Sequence, residues 1–71
     1  MAALRVGSKV EWHWGKETAA GRIVERFERR VSRTLKGKRI ARNGTADNPA
    51  FLIEQEDGDR VLKRGSELRP A

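Results

Sequence analysis

The chain has 71 residues, 37% of them hydrophobic and 37% charged, with 16 Lys and Arg against 10 Asp and Glu, a net charge of +6 and no cysteine. That length holds one domain with a small core, and the lack of cysteine excludes a disulfide framework or a cysteine zinc site. No apolar run approaches the roughly 18 residues of a membrane span, and residues 1–7 lack the apolar stretch of a signal peptide, so a soluble cytoplasmic protein with no membrane partner is expected.

Residues 8–14 alternate, with Val10, Trp12 and Trp14 on one side and Lys9, Glu11 and His13 on the other. Such alternation with β-branched and aromatic residues predicts a half-buried strand, which Gly15-Lys16 breaks. Over residues 19–27, Ile23 and Phe27 share one parity and Val24 faces away. Gly21 inside this pattern predicts a bend or bulge of the kind that curls a small sheet. Ile23, Val24 and Phe27 also fit a 3.6-residue period, so a helix is the competing reading. Further on, Gly37 between two basic, partly apolar arms marks a hairpin tip. Residues 43–50 read as a loop, in which Pro49 holds Asn48 extended. A short strand over 51–56 leads to Asp57-Gly58, and this pair predicts a hairpin with a type I′ turn whose second arm is 59–63. Ser66, Glu67 and Leu68 predict a short 3-10 turn, with Leu68 closing one end of the core. About five short strands with turns at this spacing predict an all-β chain folded as a small barrel or sandwich.

Charge is segregated along the sequence. Residues 22–42 carry Arg22, Arg26, Arg29, Arg30, Arg33, Lys36, Lys38, Arg39 and Arg42 against Glu25 and Glu28, whereas 43–59 carry five acids and no base. If the two segments pair as neighbouring strands, opposite charges cancel across the sheet. Otherwise a basic ridge remains to neutralise phosphates, and arginine suits bidentate phosphate or carboxylate recognition. Three readings stay open: a solvated, self-neutralised face, nucleic-acid contact, and an acidic protein partner.

The rings are Trp12, Trp14, Phe27 and Phe51. Trp12 is expected in the core. Trp14, beside the Gly15 turn, is placed at the rim, where it offers a stacking platform for a base or a partner's side chain. An aromatic cage for methylated ammonium takes more rings than a core this small releases. His13 is read as a solvent-facing strand residue. No nucleophile–base pair and no metal set is legible, so catalytic residues, metal and cofactor are all expected to be absent.

The order of several segments resembles a known family. These are Lys9-Val10-Glu11-Trp12-His13-Trp14-Gly15, Gly21, Arg33-Thr34-Leu35-Lys36-Gly37, Arg42-Asn43-Gly44, Asp47-Asn48-Pro49-Ala50-Phe51-Leu52-Ile53-Glu54, Glu56-Asp57-Gly58-Asp59-Arg60-Val61-Leu62-Lys63 and Ser66-Glu67-Leu68. Together they are similar to the hypervirulence-associated Tudor-like domain family of bacteria and fungi, over about residues 7–68. The resemblance implies an SH3-like, Tudor-type barrel of about five strands, placed at 7–69 after an N-terminal tail at 1–6, and it implies no reaction.

The expected function is therefore a non-catalytic interaction module. It binds a protein segment, or a second copy as a homodimer, through a barrel edge, with the loop after Asn43 as a hinge for strand exchange. The alternative is nucleic-acid binding through the arginine-rich segment. Candidate binding residues are Trp14, Arg26, Arg30, Arg33, Lys36, Lys38, Arg39 and Arg42.

Overall fold

The computed structural model describes residues 4–71. Its strands are β1 (Lys9–Trp14), β2 (Glu17–Phe27), β3 (Arg30–Leu35), β4 (Lys38–Asn43), β5 (Ala50–Glu54), β6 (Arg60–Arg64) and β7 (Arg69–Pro70), with a 3-10 turn at Gly65–Glu67 between the last two. The chain is all-β, and the helical alternative for 19–27 is gone: this run is the long strand β2. Its first half pairs antiparallel with β1, from Trp14 opposite Glu17 to Lys9 opposite Arg22, and its second half pairs with β5. An isolated helix could not satisfy two such partners.

The larger sheet has the order β6-β5-β2-β1-β7, and among the described residues β3 pairs only with β4. Among the described residues hydrogen bonding thus leaves two sheets, and no ladder closes them into one barrel. What joins them is side-chain packing across β5. All of Ala50, Phe51, Leu52 and Ile53 are buried. Phe51 and Ile53 meet Val10, Trp12 and Ile23 on one face, where Leu4, Ala19, Val61 and Leu68 pack around them. Ala50 and Leu52 meet Phe27, Val31 and Leu62 on the other face, with Val24, Leu35 and Ile40 at the margin. A strand buried on both faces needs a continuous apolar run rather than alternation, which is what the sequence Ala50-Phe51-Leu52-Ile53 supplies.

The register of β2 against β5 shifts between Ile23 and Glu25. This bulge at Val24 throws Phe27 onto the opposite face from Ile23, so the two residues expected to share a side lie in different clusters. Gly21, where a bulge was expected, has another role. A Cβ there would come within 2.7 Å of both the Glu54 carbonyl oxygen and the Ile53 side chain, so the glycine permits β2 and β5 to approach.

The turns follow from local chemistry. Gly15 has φ +59° at the first central position of the β1–β2 turn, the type II′ pattern. Lys36 and Gly37 have φ +52° and +76°, the type I′ pattern, and confirm the expected hairpin tip. The Asp57-Gly58 turn is not type I′. Gly58 alone has positive φ, at +88°, and its N–H donates to the Gln55 carbonyl at 2.9 Å. That geometry is a type I turn followed by one left-handed residue. The Asp57 carboxylate accepts from the Asp59 N–H at 2.9 Å, which keeps Asp57 in the right-handed region.

Residues 1–3, half of the expected tail, lie outside the described residues. Leu4 packs partly buried against the first cluster, and the Gly7 N–H donates to the Ile23 carbonyl at 2.8 Å. The 3-10 turn is stapled to the β4–β5 loop. Asn48 accepts from the Ser66 N–H at 2.9 Å and donates to the Ser66 hydroxyl at 3.1 Å.

Candidate functional site

The β3–β4 hairpin holds the densest positive charge of the chain. From residue 29 to residue 43 it holds seven bases, Arg29, Arg30, Arg33, Lys36, Lys38, Arg39 and Arg42, and no acid. Its cross-strand pairs are Arg30–Asn43, Val31–Arg42, Ser32–Ala41, Arg33–Ile40, Thr34–Arg39 and Leu35–Lys38. Directly opposed residues share a face, so the hairpin has two distinct sides. Val31, Arg33, Leu35, Lys38, Ile40 and Arg42 look toward the larger sheet. Arg30, Ser32, Thr34, Arg39, Ala41 and Asn43 look away from it.

The inward side is a docking face. Val31 is 3% exposed within the second cluster. The Arg33 guanidinium lies over the Phe27 ring, 5.0 Å from its centre, and 4.0 Å from the Glu25 carboxylate. The Lys36 ammonium sits 2.6 Å from Asp59 in the β5–β6 turn. Arg42 is 3.7 Å from Glu67, which also stands 3.8 Å from Lys63 and 3.7 Å from Arg64. Three hairpin cations thus meet three carboxylates of the body. Exposed pairs of this kind contribute at most about 1 kcal/mol each, so apolar packing dominates the docking and the ion pairs set its orientation. Asp59 holds the Lys36 ammonium above its ordinary value of 10.5, first by hydrogen bonding and then by charge.

The outward side is left bare. Arg30 and Arg39 on that side, and Arg29 and Lys38 at the two ends of the hairpin, have no carboxylate within ion-pair distance among the described residues. Arg30 donates to the Asn43 side-chain oxygen at 3.0 Å, and Arg29 stacks 5.4 Å from the Phe27 ring centre. The acidic segment therefore does little to cancel the basic one. Lys36–Asp59 is the ion pair between them. Arg22 lies opposite Glu54 across β2–β5, but the Glu54 carboxylate is held by Arg60 at 3.2 Å.

The eight candidate residues do not form one ridge. Arg30 and Arg39 stand together on the outward face. Arg33, Lys36 and Arg42 belong to the docking face or its rim, and Lys38 lies at the tip. Arg26 is on β2, opposite Phe51 and away from the hairpin, and pairs with Glu28. Trp14 is 67% exposed, as a rim residue should be, but at the tip of the β1–β2 hairpin rather than on the basic one. The candidate face also takes in Ser32, Thr34, Ala41 and Asn43, which were not among the candidates, beside Arg29, named there only as part of the basic segment. The alternation of 30–43 around the Gly37 tip would have identified those four.

A surface depression where β1, β2 and β5 diverge is lined by Lys9, Arg22, Glu54, Glu56 and Asp57 among others. Its mixed charges select no sign of partner. Among the described residues, no helix is long and apolar enough to cross a membrane.

No curated protein and no solved structure matches the chain. The model of the hypervirulence associated proteins TUDOR domain matches residues 7–68, which takes in every strand from β1 to β6 and the 3-10 turn. With nearly its whole length matched, the chain belongs to the hypervirulence-associated TUDOR domain family.

Proposed function

We propose that the chain is a cytoplasmic, non-catalytic interaction module, a small SH3-like barrel closed by side chains rather than by hydrogen bonds, that holds nucleic acid against the β3–β4 hairpin. One observation carries the reading. The hairpin has seven bases and no acid, and the body supplies carboxylates only to its docking face, leaving Arg29, Arg30, Lys38 and Arg39 without ion-pair partners among the described residues. Cations left this way gain from releasing the counterions of a phosphate chain. With about four such contacts, log K against log salt should slope at about −3 to −4. Fluorescence anisotropy on a labelled duplex across a salt series reads this directly. Arg30→Ala plus Arg39→Ala should make the slope shallower by about 2. Absence of binding at about 50 mM salt, where such contacts are strong, would overturn the proposal.

Self-association by hairpin exchange is a second reading. It is favoured by one observation: among the described residues the hairpin has no ladder partner in the larger sheet, and it is tethered by two short connectors. Exchanged hairpins would rebuild the second cluster between two copies. A constant monomer mass by light scattering over a wide concentration range would exclude it.

A further inference from the structure

We infer that the outward face of the β3–β4 hairpin is a two-stranded ribbon that enters the major groove of duplex DNA. The inference rests on the nucleic-acid reading above and narrows it from phosphate attraction to groove recognition.

The face has the composition that a groove floor requires. Arg30, Ser32, Thr34, Arg39, Ala41 and Asn43 form three directly opposed pairs, none of them acidic and none a large apolar residue. Arginine matches the guanine edge, asparagine the adenine edge, and threonine or alanine methyls the thymine methyl. The Arg30–Asn43 hydrogen bond, at 3.0 Å, links two of these side chains across the strands. The size also fits. Strands about 4.8 Å apart, with side chains projecting from one face, match a groove about 12 Å wide that admits a two-stranded ribbon. The opposite face is anchored to the body through Val31, Leu35, Ile40 and Arg33, so the ribbon is presented rigidly and outward. The type I′ tip at Lys36-Gly37 adds only two residues. Arg29, just before β3, and Lys38, beside the tip, stand at the two ends of the ribbon rather than on its face and serve phosphates, not base edges.

Duplex RNA separates this inference from simple phosphate attraction. Its major groove is too deep and narrow for side chains to read, though its phosphates are as charged as those of DNA. Anisotropy titrations of the full chain against DNA and RNA duplexes of one sequence, at about 50 mM salt, should favour DNA by about 10-fold or more. Ala41→Glu places a carboxylate in the middle of the ribbon and should weaken DNA binding by a similar factor. Thr18→Glu makes the same charge change on the exposed part of β2 and should change it little. Circular dichroism on both variants verifies that the fold is kept. Equal affinity for the two duplexes, preference for the RNA duplex, or equal effects of Ala41→Glu and Thr18→Glu would overturn the ribbon and leave phosphate attraction standing. No binding to any of these nucleic acids would overturn both.

Discussion

Leu52 is the point at which the hairpin and the larger sheet depend on each other. It is 2% exposed in the middle of β5, facing Val31 and Phe27 of the second cluster. Leu52→Ala removes the side chain around which that cluster closes, and the rigid ladders on both sides of β5 limit collapse into the void. Leu→Ala at such sites costs about 2–5 kcal/mol. At about 0.05–0.15 kcal/mol per residue, a chain of 71 residues has a total of about 4–11 kcal/mol to lose. The variant should therefore melt about 10–30 °C lower. Urea titration followed by circular dichroism measures the free energy, and a double-mutant cycle with Val31→Ala measures what the two faces share. A coupling of about 0.5–3 kcal/mol is expected for residues in one cluster. A loss under about 1 kcal/mol, or costs that add within about 0.5 kcal/mol, would refute the argument that the hairpin is held by this packing.

Gly44→Ala should be destabilising by about 2 kcal/mol or more. The new Cβ would press on the carbonyl oxygens of Phe27 and Arg29 and lie 2.7 Å from the Ala50 amide, all backbone atoms that cannot swing aside. Thermal melts of Gly44→Ala beside Gly58→Asn test this, since Gly58 meets nothing within 4 Å and asparagine tolerates positive φ; equal melting temperatures would be contrary to the reasoning. The Lys36–Asp59 pair predicts an alkaline signature. Because the folded ammonium titrates above the ordinary 10.5, its stabilisation is complete below that pH and disappears as pH rises through the raised value. The stability gap between the protein and Asp59→Asn should therefore close in the alkaline range, and a gap that widened there would reverse the sign of the argument.

Much of the fold is legible in the sequence because its signals are local. Alternation in Lys9–Trp14 gives β1, and glycine at 37 gives the hairpin tip. Signals that depend on a distant partner are harder to read. Nothing near Gly21 shows that its missing Cβ makes room for Glu54, and nothing near Val24 shows that the register slips there. That slip inverts the faces after it and separates Ile23 from Phe27. The Asp57-Gly58 turn departs from type I′, and its Asp57 side chain accepts from the Asp59 amide, an option that a dipeptide rule does not weigh. For the site, the arginine-rich segment was visible as a run of charge. Its division into a docked face and a bare one was not, because the three carboxylates that divide it come from Glu25, Asp59 and Glu67, scattered over 43 positions of sequence.

The double burial of β5 also bears on synthesis. A chain emerging from the ribosome, N-terminus first, presents Val10, Trp12, Ile23, Phe27 and Val31 before the strand that both clusters close upon. Until Ala50–Glu54 has left the exit tunnel, each of those side chains lacks the strand that it packs against in the folded protein. Residues 1–49 meanwhile carry an excess of basic side chains, and net charge of one sign opposes association of an unfolded chain.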